Sequence, residues 1–143
     1  MWLPMFLALE AEAHAKAGHS DVALQAIEQA LAVSDETGER WAVAEVLRIK
    51  AGLLLAHAPS KADEVENLLI KSIEIARRQQ ALCWELRTSC DLARLWQRRG
   101  ENRETLTLLR SIYRQFTEGF GTPDLQDAKA LMESLDADAA VKA

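Results

Sequence analysis

Glycine and proline are scarce in this chain, six and three among 143 residues, and valine and isoleucine, six each, are far outnumbered by 24 alanines and 21 leucines. Strong helix formers therefore dominate, which excludes a β-sandwich, a β-barrel or a doubly wound sheet. No apolar run reaches the roughly 18 residues that a membrane span requires. The apolar stretch from Trp2 to Leu9 has no basic flank and meets Glu10 and Glu12 too soon for a signal peptide. The expectation is a cytoplasmic protein with no membrane partner. There are two cysteines, Cys83 and Cys90, seven apart in a helical stretch. That spacing places them on one face but about 10 Å apart along the axis, too far for a disulfide, and reduced thiols suit the cytosol. What is there instead is an ordinary core-forming composition for one domain, 49% apolar with a net charge of −5.

Glycine and proline breaks divide the chain into seven predicted helices. The first runs from about Pro4 to Ala17 and stops before Gly18. Ser20 is the expected N-cap of the second, whose apolar set Ala23, Leu24, Ile27, Ala30 and Leu31 keeps helical spacing up to Thr37-Gly38. A third spans about Arg40 to His57. Pro59 breaks the chain, and Ser60 with Asp63 resembles a capping box for the fourth. The fifth covers about Leu82 to Arg99 and stops at Gly100; the sixth covers about Arg103 to Phe116. Thr122 as N-cap with Pro123 in the first turn opens the last, expected to end near Leu135, and residues 136–143 read as a flexible tail.

These helices repeat. Gly18 and Gly100 are separated by two periods of about 41 residues, and Trp41 and Trp84 each open the first helix of a pair. Residues 1–38, 39–80 and 81–117 are then three copies of one helix-turn-helix unit. The second helix of each copy carries a spaced triplet: Ala23, Ile27, Ala30; Val65, Leu69, Ser72; Thr105, Leu109, Ile112. Small residues let the paired helices approach, and the larger middle residue fills the groove between them. Helix pairs of this kind bury their faces by stacking. The expected fold is an all-α, right-handed α-solenoid in one domain, residues 1–135, with 123–135 as a capping helix. Leu125, Ala128, Leu131, Met132 and Leu135 form the stripe that would cover the third pair.

The triplets and turn glycines resemble the tetratricopeptide repeat. In the third copy Leu92-Ala93 and Trp96 fall where that pattern prefers a leucine-glycine pair and a tyrosine. A second resemblance covers nearly the whole chain. The strings from Thr37 to Trp41, Glu85 to Arg87, Leu92 to Trp96, and Phe116 through Thr122-Pro123-Asp124-Leu125 to Leu131 are similar to the C-terminal tetratricopeptide-like region of bacterial adenylate cyclase-type or winged-helix transcriptional regulators with an ATPase domain ahead of the repeats. The resemblance implies a module that senses or binds partners. The ATPase is not carried onto this chain, which has no glycine-rich phosphate loop.

No set of residues points to catalysis, a cofactor or a metal. His14, His19 and His57 lack the i, i+4 histidine partner that metal-binding helices use. Acidic pairs such as Glu64 and Glu66 read as solvated helix faces. Charge distribution says more: residues 1–76, 77–114 and 115–143 carry −6, +5 and −4. In the basic block, Arg87, Arg94 and Arg98 recur on one stripe of the fifth helix, and Arg103, Arg110 and Arg114 do so on the sixth. Arginine forks onto carboxylates and phosphates, so the stripes form a candidate face for an acidic peptide, another subunit's acidic end or nucleic acid. The acidic balance of the whole chain disfavours nucleic acid. The alternative is a solvated face paired with Glu85, Asp91, Glu101 and Glu104.

Trp2, Leu3, Met5, Phe6 and Leu9 crowd the N-terminus, where a terminal repeat calls for a polar outer face. The expectation is a homodimer through this end, with Trp2 and Phe6 folding back onto the second helix as the alternative. Trp41, Trp84 and Trp96 read as packing residues between helix pairs rather than as an aromatic ligand groove. The function that follows is a non-catalytic protein-interaction scaffold of a bacterial signalling or transcriptional regulator, binding a protein or peptide segment. The alternative is a small-molecule sensor gating an upstream ATPase or cyclase, which would need a pocket with convergent polar groups.

Overall fold

The structure, a computed structural model, describes the backbone of residues 2–142 and the side chains of residues 2–141. Its described residues form seven α-helices and one short 3₁₀ turn, with no strand. In order these are α1 (Leu3–Lys16), α2 (Ser20–Thr37), α3 (Val43–His57), the 3₁₀ turn (Pro59–Lys61), α4 (Ala62–Arg78), α5 (Leu82–Arg98), α6 (Asn102–Tyr113) and α7 (Pro123–Lys142). No helix among the described residues is long and apolar enough to cross a membrane.

The chain packs as two compact bodies, Met1–Gln79 and Gln80–Ala143. The division falls where the second expected repeat gives way to the third. In the first body α1 pairs with α2 and α3 with α4, and α3 packs against both α1 and α2. In the second, α5 pairs with α6 and α7 lies against both. The pairs form because each carries an apolar stripe that water would otherwise solvate. All nine triplet residues are buried: Ala23, Ile27 and Ala30 on α2, Val65, Leu69 and Ser72 on α4, Thr105, Leu109 and Ile112 on α6. The two polar members are satisfied by backbone. Ser72 Oγ donates to Ala44 O at 2.7 Å and Thr105 Oγ1 donates to Glu101 O at 2.7 Å, so neither leaves an unpaired group in the core.

The turn glycines have the role their spacing implies. Gly18 and Gly100 sit at φ +85° and +80°. Beyond each, an amide reaches back five residues, His19 N to His14 O at 2.8 Å and Glu101 N to Trp96 O at 3.0 Å, which closes the exposed carbonyl end of the helix. Elsewhere the helix ends depart from the sequence pattern. Ser20 is the first residue of α2 rather than its cap, and His19 stands at the cap position. Ser60 makes no capping box, because Pro59 initiates a 3₁₀ turn that carries the chain into α4. Trp41 and Ala42 form a turn ahead of α3. The sixth helix stops at Tyr113, and α7 continues past Leu135 to Lys142. Ala143, the last residue of the expected tail, lies outside the described residues.

The last helix covers the third pair through the expected stripe. Leu125, Ala128 and Leu135 are buried with Leu86, Cys90, Ala93, Leu109 and Ile112, and Leu131 and Met132 pack partly buried at the margin.

Candidate functional site

Three of the six arginines of the basic stripes are met by carboxylates of α7. Arg87 Nε donates to Asp124 Oδ2 at 2.9 Å, Arg94 pairs with Asp127, and Arg110 Nη2 donates to Asp136 Oδ1 at 2.8 Å. Arg94 also approaches Asp91 at 3.5 Å. The acidic C-terminal block is thus folded onto the basic block beside it. The solvated-face alternative pairs the stripes with Glu85, Asp91, Glu101 and Glu104; Asp91 meets Arg94, and α7 supplies the three pairs above. At helical spacing Asp124 and Asp127 flank one edge of its buried stripe and Asp136 the other, which is why the first two meet α5 and the third meets α6.

Arg98, Arg103 and Arg114 are exposed and make no ion pair among the described residues. They are the part of the candidate anion face that α7 does not pair. Arg103 stands with Trp96, Glu104, Thr107 and Leu108 around a shallow depression on α5 and α6.

Beneath the paired stripe lies Cys90. Burial, and after it the Asp127 carboxylate, push its thiol up to about 12 against the opposing pull of the Arg94 guanidinium. Burial would lower Arg94, but the hydrogen bond and charge of Asp127 outweigh it and hold the guanidinium above its ordinary value. A thiol kept protonated in this way is a poor nucleophile and a poor metal ligand. Cys83 is exposed, and both cysteines are free. Their spacing sets them on one side of α5, yet they differ in burial: Cys90 packs with Leu125 and Ala128 of α7, whereas Cys83 lies in the first turn of α5 outside that cluster.

At the other end of the chain, Trp2, Leu3, Phe6 and Leu9 are exposed, Phe6 by 65% and Trp2 by 59%, while Met5 is half-buried. Pro4, Leu7, Ala8 and Ala11 are the residues α1 commits to its own core. Trp2 packs edge-on against Trp41, in the turn before α3, at 4.8 Å between ring centroids, and Phe6 is exposed. The result is an apolar stripe along α1 that nothing in this body covers.

The histidines are closer than their sequence positions suggest. His14 and His19 have ring centroids 6.1 Å apart, His14 also lies 3.5 Å from Glu10, and His19 and His57 line one open depression with Asp21. The turn at Gly18 brings them together, which helical spacing alone does not reveal. No group of three metal-binding side chains is formed among the described residues.

No family model matches the chain, and no curated protein does. Solved structures do match, among them two of a kinesin light chain-like protein of Podosopora anserina with nearly identical TPR-like repeats. One is 20% identical with a TM-score of 0.66 and covers 100% of this chain and 79% of its own. The other, a single-substitution form of that protein, is 19% identical with a TM-score of 0.67 and covers 98% of this chain and 77% of its own. The likeness is one of fold: an all-α, tetratricopeptide-like helical repeat of the α-solenoid class.

Proposed function

We propose that the chain is a non-catalytic protein-interaction module. The observation that carries this reading is the joining of a tetratricopeptide-like fold to an uncovered apolar stripe on α1, Leu3, Phe6 and Leu9. Helical-repeat proteins recognise partners through surfaces of stacked helices, and a stripe of large exposed apolar side chains is a feature of interaction sites. Two surfaces are offered. The α1 stripe takes a second copy of the chain, giving a homodimer. The exposed Arg98, Arg103 and Arg114 take an acidic protein or peptide segment, since guanidinium groups without carboxylate partners attract one.

The resemblance in the strings around Trp41, Trp96 and Phe120 supports placing the module in a bacterial signalling or transcriptional regulator, in the cytoplasm. Free Cys83 and Cys90 suit such a reducing compartment. Nucleic acid and membrane have no part in this reading.

Light scattering over a concentration series tests the first surface: the chain should dimerise, and Phe6→Asp should return it to a monomer with its helix content intact. A monomer at every concentration would overturn the dimer. For the second surface, selection from a peptide library should enrich acidic segments whose binding is lost in Arg98→Glu combined with Arg103→Glu; enrichment indifferent to that change would remove the arginines from the site.

A further inference from the structure

The first body contains a cleft that neither the repeat core nor the α1 stripe accounts for. Helix α2 ends on one side of it, α3 begins at its floor and α4 ends on the other side. Its volume is about 410 Å³, within the range of about 300–1,000 Å³ typical of small-molecule sites. Leu31, Val43, Leu47 and Ile75 form the apolar floor. Each helix contributes a pair at i, i+4 spacing: Leu31 and Asp35, Val43 and Leu47, Lys71 and Ile75. Three helical stripes therefore converge on one space.

The rim is polar and unequally charged, with Arg40, Lys71 and Arg78 against a single carboxylate, Asp35. Arg40 already engages Asp35 at 3.3 Å. Lys71 and Arg78 make no ion pair among the described residues. A cation at Arg78 is favoured by the carbonyl end of α4, in whose last turn it stands; Lys71, about two turns earlier, has no such reason to border an apolar floor. Gln79 Nε2, just beyond the end of α4, donates to Arg40 O at 2.9 Å, and Ser34 Oγ of α2 donates to Glu39 O at 2.6 Å, so the segment between α2 and α3 is tied at the rim of the cleft to α2 and to the end of α4.

We propose that this cleft binds a small amphipathic organic anion, an aliphatic or aromatic carboxylate whose apolar body lies on Leu31, Val43, Leu47 and Ile75 and whose head is held by Lys71 and Arg78. Those two residues stand about 10 Å apart along α4, a distance their extended side chains span from either end of the floor. Shape favours a small molecule over a protein segment, since the space is walled by three helices and a free carboxylate completes the unbalanced rim. The proposal is independent of the interaction surfaces described above.

Octanoate is the probe. Calorimetric titration of the whole chain should give saturable binding of one octanoate per chain, and methyl signals of Val43, Leu47 and Ile75 should shift in heteronuclear NMR. Octylammonium, with the same tail and opposite charge, should not bind. Lys71→Glu combined with Arg78→Glu, both exposed positions that leave the helices intact by circular dichroism, should weaken octanoate by about tenfold or more. Ile75→Ser should weaken it through the floor, and Lys16→Glu, at the far end of the α1–α2 pair, should leave it unchanged. Absence of saturable binding, equal affinity for octylammonium, or indifference to the charge reversal would each overturn the proposal. So would hexaglutamate competing as well as octanoate, since a peptide without an apolar body would then suffice.

Discussion

Arg110 of α6 donates from Nη2 to Asp136 Oδ1 of α7 at 2.8 Å, at the first residue beyond the apolar stripe of that helix. The contact joins the basic block of the sequence to the acidic block that follows it, and with Arg87–Asp124 and Arg94–Asp127 it makes three ion pairs spaced along α7. Both side chains of the Arg110 pair are about half exposed, so its worth is modest. A double-mutant cycle with Arg110→Ala and Asp136→Ala should give a coupling of about 0.2–1 kcal/mol that falls as salt is added. A coupling well above that range would mean that water screens the pair less than its exposure implies.

The apolar side of α7 should matter far more than its charges. Leu135 is fully buried with Leu109 and Ile112, and Leu135→Ala leaves a cavity costing about 2–5 kcal/mol. Urea denaturation followed by circular dichroism should show that loss, while Val141→Ala, at an exposed position, should stay within about 0.5 kcal/mol of the parent.

Stripe and charge also differ in how far the sequence reveals them. The triplets on α2, α4 and α6 are readable because burial of a helix stripe imposes a 3.6-residue period, and every one of their nine residues is buried. Gly18 and Gly100 are readable because few residues other than glycine accept their left-handed backbone. Partner choice between helices is not readable. The basic stripes on α5 and α6 carry no mark that Asp124, Asp127 and Asp136, from a helix later in the chain, would face half of them. The cleft between α2, α3 and α4 is hidden for the same reason: Leu31, Val43 and Ile75 look like ordinary core positions until three helices are placed around them. Ser20 and Ser60 mislead because capping chemistry is weak beside a turn fixed by Gly18 or Pro59.

Replacing the turn glycine of the third pair should be costly without touching any contact. A Cβ at Gly100 would meet nothing within 4 Å, yet the φ there is +80°. Gly100→Ala should therefore destabilise by about 1 kcal/mol through backbone strain alone. Gly52→Ala is the contrast: its Cβ also meets nothing within 4 Å, but it lies inside α3 with a helical backbone, where alanine is favoured by up to about 1 kcal/mol. Thermal melts of the two variants should move in opposite directions.

The buried thiol predicts an alkaline dependence of stability. Cys90 ionises near 9.0 when solvated but not until about 12 in the folded chain, because burial and the Asp127 carboxylate oppose the thiolate. Below pH 9 both states hold the proton and the group has no effect on the slope. Between 9 and about 12 the unfolded chain releases a proton that the folded chain retains, so stability falls as pH rises through that window. Denaturation in a pH series should show the fall, and Cys90→Ala, which removes the group from both states, should flatten the part due to this thiol. The thiols should also separate chemically: Cys83, exposed, should react with a disulfide reagent at once at pH 8, and Cys90 at the rate of unfolding. Equal reactivity of the two in the folded chain would contradict the packing of α7 over α5.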